Sequence, residues 1–142
     1  MTRLAGWQSA LSAYLVQMAA APFAYGQLDC GLFVAGAIEV MTGVDVVPGL
    51  RGTYGDREAA FAAVRALCGS PSMAHLADVL TARNGLRPAA TLMAQRGDAV
   101  QIRSGRAARL GIVAMHGTEI LTPYRAGILR LPLSHATRAW HV

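Results

Sequence analysis

Asp29 and Cys30 open the run Gly31-Leu32-Phe33-Val34-Ala35-Gly36-Ala37-Ile38-Glu39-Val40-Met41, which is long enough for about three turns of helix and too apolar to stay in water. An aspartate just ahead of a helix accepts from the free N–H groups of its first turn. A thiol at that end lies in the positive pole of the peptide dipole, where its pKa can fall from ~8.5 toward ~7 or below. Cys30 is therefore the candidate nucleophile, its thiolate attacking an electrophilic carbonyl. The alternative reading is a small buried hydrophobe beneath a helix cap. Cys68 stands at the end of another helical pattern and reads as packing. The four histidines, His75, His116, His135 and His141, show neither HxxxH nor HxxE spacing, so the sequence indicates no zinc site and no cofactor.

The 142 residues are enough for one domain that buries roughly two thirds of its unfolded surface. A hydrophobic fraction of 54% and a mean hydropathy of +0.35 argue for a packed fold rather than a disordered chain. No apolar run reaches the ~18 residues that a bilayer crossing needs. The N-terminus carries only Arg3 as a basic flank, which argues against a secretory signal and for folding in a reducing cytoplasm.

All 13 basic side chains are arginine. Through Ala82 there are 4 arginines against 6 acids, whereas from Arg83 onward there are 9 against 2. Such a basic half suits an anionic polymer or an acidic protein surface. A GC-rich codon bias, which raises arginine and alanine together, accounts for it equally well. No aromatic residues interleave with the arginines and no recognition motif is present, so no nucleic-acid partner is expected.

Leu4, Trp7, Leu11, Tyr14, Leu15 and Met18 recur at helical steps and predict a helix from Leu4 to Ala20, closed by Pro22. The Cys30 helix should stop at Gly43. A third helix is expected from the cap Asp56 to Leu67 or Cys68, and a fourth over Met73–Arg83 behind Ser72, with Asn84-Gly85 as its stop. Beyond Leu86 the pattern changes to short strands: Asp98–Arg103, Leu110–Met115, Glu119–Thr122 and Ile128–Leu131. His116-Gly117 suggests a hairpin turn. Leu133–Val142 should fold back on the sheet through Trp140. The expectation is one α+β domain over 1–142, helical over 1–85 and strand-rich over 86–142, with N-terminal helices packed on a C-terminal antiparallel sheet.

This order resembles the papain-like NlpC/P60 cell-wall peptidases, closest in kind to the small proteins of that type from tail modules of phages and gene transfer agents. Pro22-Phe23-Ala24-Tyr25-Gly26 followed by Asp29-Cys30-Gly31-Leu32 is similar to the family's aromatic-Gly loop and Asp-Cys-Ser-Gly-Leu. Arg96-Gly97-Asp98-Ala99-Val100 looks like its Pro-Gly-Asp-Leu-Val, and Leu110-Gly111-Ile112-Val113 like its His-Val-Gly-Ile-Tyr strand. The resemblance implies that Cys30 attacks an amide of a peptidoglycan stem peptide, with a histidine exchanging the proton.

The chain departs from the family where that proton would move. The histidine position is Arg109, the second polar position falls near Leu121 or Thr122, and the loop's first tyrosine is Phe23. Arginine, with a pKa above ~12, shuttles no proton near neutrality. His116 is the nearest substitute in sequence and the candidate base, about seven strand residues away, or ~20 Å if straight. His135 and His141 are weaker candidates.

Two functions follow. One is a degenerate peptidase domain serving a structural or assembly role in a phage-type tail tip, made in the host cytoplasm and incorporated beside other tail-tip or hub proteins. The other is an active cysteine endopeptidase or amidase that cleaves peptidoglycan through Cys30.

Overall fold

The architecture is a helical layer on one antiparallel sheet, described over residues 1–142 by a computed structural model. The helices are α1 (Trp7–Ala20), α2 (Cys30–Thr42), α3 (Arg57–Cys68) and α4 (Met73–Asn84). Three of them start where a short polar side chain accepts a first-turn N–H. Asp29 takes Leu32 N, Asp56 takes Ala59 N and Ser72 takes His75 N. Gly43, Gly69 and Gly85 end these helices in the left-handed conformation that a Cβ disfavours.

The strands are β1 (Arg87–Ala89), β2 (Ala99–Ser104), β3 (Ala107–Val113), β4 (Glu119–Tyr124), β5 (Gly127–Pro132) and β6 (Ala136–His141). They form one sheet in the order β1-β6-β2-β3-β4-β5, and every pairing is antiparallel. The fold is therefore α+β with helices preceding strands, as the sequence pattern indicates.

Helix α2 is the centre of the main core. Leu32, Phe33, Ala35, Ala37, Ile38 and Met41 are all buried, against α1 on one side and β3 and β4 on the other. Gly36 is required here: a Cβ would come 2.4 Å from the Tyr14 hydroxyl of α1. That hydroxyl donates to the Phe33 carbonyl at 2.9 Å, and burial raises its pKa to about 12. Strand alternation then divides the sheet. Ala99, Leu110, Ile112, Leu121 and Trp140 join the helices, while Val100, Ile102, Val113, Ile120 and Ala139 form a second core on the opposite face.

Two expectations are corrected. Helix α1 begins at Trp7, because Leu4 lies outside it with its N–H donated to the Met41 carbonyl at 2.8 Å, and Gly6 turns the chain at φ 76°. The C-terminal segment does more than fold back. Ala136–His141 is an interior strand between β1 and β2, and Arg87–Ala89, to which the sequence reading assigned no strand, is the edge beside it. β1 has only three residues and contains Pro88, and β6 pairs with strands dozens of positions away, so their strand character comes from long-range partners rather than local propensity.

Asp98, 1% exposed at the entry to β2, ties both chain ends to the sheet. Its Oδ1 accepts from Arg3 Nη2 at 2.7 Å and Val142 N at 3.3 Å. Its Oδ2 accepts from Gln95 N at 2.9 Å and from His141 Nδ1 at 2.8 Å. Since a carboxylate only accepts, that imidazole nitrogen carries the proton. Removing one partner of a buried ion pair strands the other, so Asp98→Asn is expected to lower the unfolding free energy by about 3 kcal/mol. Asp78→Asn, which removes the half-exposed pair with Arg138, should cost less than about 1 kcal/mol. Urea denaturation of the two variants side by side checks the contrast.

Candidate functional site

The loop ahead of α2 is held by one carboxylate. Asp29 Oδ1 accepts from Leu32 N at 3.0 Å, and Oδ2 accepts from Gly26 N at 3.1 Å and from the Tyr54 hydroxyl at 2.6 Å. Asp29 therefore caps the helix, closes the turn before it and anchors the 44–56 connection. Gly26 is needed at this crossing. Its φ is +81°, and a Cβ would fall 1.9 Å from the Tyr54 carbonyl oxygen. Burial, with the bond to Asp29 added, pushes the Tyr54 phenol well above its ordinary range.

Cys30 opens α2 as expected, and its sulfur faces the start of β3. Burial raises the thiol pKa, and this outweighs three influences that lower it: the Leu110 N–H, the Arg109 guanidinium and the Gly31 N–H. The nearby Asp29 carboxylate adds to the rise. The dipole argument gave the correct sign for the helix end, yet enclosure wins, so the resting group is a neutral thiol rather than an activated thiolate.

Arg109 reaches this place because β3 and β4 part there. They pair only at Ile112↔Leu121 and Val113↔Ile120. Below that point Gly111 packs so closely on β4 that a Cβ would lie 2.7 Å from the Leu121 carbonyl oxygen. Side chains satisfy the ladder positions instead. The buried Thr122 hydroxyl donates to the Leu110 carbonyl at 2.8 Å, and Arg109 Nη2 donates to the Pro123 carbonyl. The guanidinium lies 4.8 Å over the Tyr124 ring. Its Nε is buried with no hydrogen-bond partner.

A cavity of about 750 Å³ between the helices and the sheet has Cys30 and Arg109 on its wall. Of its 34 lining residues 26 are hydrophobic, so it suits an apolar guest more than a polar one. Phe23 and Tyr25, packed edge to face with centroids 5.1 Å apart, form part of the rim.

No histidine lines the cavity. His116 sits at the β3–β4 turn, with Nδ1 2.8 Å from the Thr118 hydroxyl and Nε2 3.2 Å from Glu119 Oε1. The structure thus does not bring His116 to Cys30. His75 and His135 are exposed, and His141 belongs to Asp98. Leu121 and Thr122 are buried, the first in the core and the second on the Leu110 carbonyl. Cys68 is a free thiol within hydrogen-bond distance of the Val64 and Ser70 carbonyls, a packing role. Sequence reasoning missed Tyr54, Arg57 and Arg125 as neighbours of the site. Only a Gly-flanked tyrosine in an otherwise irregular stretch hinted at the first.

Alkylation by iodoacetamide measures the thiol directly. For Cys30 the rate is expected to be slow at pH 7 and to rise with a midpoint above the ~8.5 of a free cysteine. Arg109→Gln removes a cation that favours the thiolate, and should slow the reaction at fixed pH severalfold. Because the folded pKa is raised, this group's contribution to stability is complete below ~8.5 and is lost as pH rises through the folded value. Cys30→Ala should remove that part of the alkaline decline in melting temperature.

No curated protein and no solved structure matches the chain. One family profile does, over residues 2–142. By that match across nearly the whole sequence, the chain belongs to the family described as a domain of unknown function (DUF6950).

Proposed function

We propose that this protein is a papain-like domain of NlpC/P60 type whose peptidase site has lost its proton relay, and that it serves as an assembly subunit of a phage-type tail tip. One observation carries the loss of catalysis. Around the Cys30 sulfur stand a backbone N–H and an arginine, and no imidazole lines the cavity. Acyl transfer from a thiol needs a group that takes its proton and returns it to the leaving amine, and a guanidinium does neither near neutral pH. Loss of such a base typically lowers turnover by about 10²–10⁴-fold.

The fold reading is supported by arrangement rather than by a relative. A cysteine heads the central helix against an antiparallel sheet, Arg96-Gly97-Asp98 enters β2, and Leu110-Gly111-Ile112-Val113 lies on β3. The tail-tip role rests on the family resemblance of those motifs. Synthesis in the host cytoplasm and incorporation beside other tail-tip or hub proteins follow from it. Arg103, Arg106, Arg125 and Arg130 are exposed on the strand half and are the candidate contacts with those partners. Arg109 is half-buried at the cavity and is not counted among them.

The second reading is a working hydrolase acting on peptidoglycan stem peptides. The placement of Cys30 at a helix N-terminus, on the wall of an accessible cavity, favours it. Incubation of the purified protein with sacculi separates the two. The assembly reading expects no soluble muropeptide above the blank, and particles carrying Cys30→Ala that form in normal yield. Muropeptide release that disappears in Cys30→Ala would establish the hydrolase instead. Arg103→Glu combined with Arg130→Glu should exclude the subunit from particles by about tenfold or more while leaving its melting temperature within a few degrees. Normal incorporation of that variant would refute the arginine contact surface.

A further inference from the structure

The cavity has two properties that neither proposed function uses. First, its floor is the core itself: Val46, Val47, Leu76, Ala77, Leu86 and Trp140 line it while remaining buried, so side chains from the helices and the sheet form its apolar base together. Second, its charges are mostly of one sign. Arg57, Arg109 and Arg125 line it against a single acid, Asp29, whose oxygens are already taken by Gly26 N, Leu32 N and the Tyr54 hydroxyl.

Arg109 adds an independent sign. Its Nε is the one buried side-chain nitrogen or oxygen in the molecule without a hydrogen-bond partner. The guanidinium itself is held in place by the Pro123 carbonyl and the Tyr124 ring. A fixed guanidinium on the cavity wall suits the planar geometry of a carboxylate.

We infer that this cavity is a binding site for a fatty carboxylate, with the alkyl chain among the core side chains and the carboxylate at Arg109. A polypeptide is the poorer guest. Its backbone would bring an N–H and a C=O at every residue into a lining that is mostly hydrocarbon, whereas an alkyl chain brings none. The volume of about 750 Å³ is within the range of small-molecule sites, ~300–1,000 Å³. Because Cys30 and Arg109 share the cavity, a bound carboxylate also covers the thiol. The site is independent of whether Cys30 ever cleaves a bond.

Titration calorimetry with dodecanoate and tetradecanoate, kept below micelle formation, tests the site in the full chain. Each buried methylene strengthens binding about fourfold, so the longer acid, with two more, is expected to bind about fifteenfold more tightly. Arg109→Gln should weaken dodecanoate at least tenfold and leave 1-dodecanol unchanged. Saturating dodecanoate should protect Cys30 from iodoacetamide. Ala77→Phe, which fills the inner part, should abolish binding of both acids with cooperative unfolding retained, and Leu80→Trp serves if that variant does not fold. Failure of dodecanoate to bind, equal affinity in Arg109→Gln, or absence of chain-length dependence would each overturn the inference. So would displacement of dodecanoate by an apolar hexapeptide with a free C-terminal carboxylate, which would assign the cavity to a protein partner.

Discussion

The Asp29 carboxylate is the interaction on which the site depends. It binds Leu32 N of the first turn of α2, Gly26 N of the preceding loop and the hydroxyl of Tyr54 from the 44–56 connection. Three stretches of chain far apart in shape are thereby held around one thiol. A buried carboxylate is costly unless its lone pairs are used, and here both oxygens are occupied. That satisfaction also makes Asp29 unavailable for chemistry: it orders the neighbourhood of Cys30, and through its charge it raises the thiol pKa a little further.

The β3–β4 ladder covers only Ile112 and Val113, although Gly111 still packs closely on β4. Thr122 and Arg109 then take over the carbonyls left without ladder partners. Arg109 is thereby a fixed part of the cavity wall. At the far end of the same sheet, Asp98 performs the equivalent task for the termini, gathering Arg3, His141 and Val142 on one buried carboxylate.

The thiol illustrates how magnitudes decide a role. A helix N-terminus, a neighbouring guanidinium and a backbone N–H all favour the thiolate, which is the arrangement of a nucleophile. Enclosure in a largely hydrocarbon cavity opposes them and prevails. No imidazole lines the wall, so the residues around the sulfur set the protonation of the thiol without offering it a partner that titrates near neutrality.

Local chemistry was legible in the sequence. Asp29, Asp56 and Ser72 as caps, Gly43, Gly69 and Gly85 as stops, and the turn at His116-Gly117 each depend on a few neighbouring residues, so each could be read without the fold. Cys30 at the head of a buried helix was legible for the same reason. Strand β6 was not, because its pairing with β1 and β2 joins residues dozens of positions apart and its own six residues carry little preference. Nor was the distance between Cys30 and His116 decidable from spacing alone; the hairpin carries that imidazole to Thr118 and Glu119 instead. The sign of the thiol's pKa shift, the unpartnered Arg109 Nε and the cavity itself arise from how completely neighbouring elements exclude water. Burial is a property of the assembled chain, and only the tertiary structure decides it.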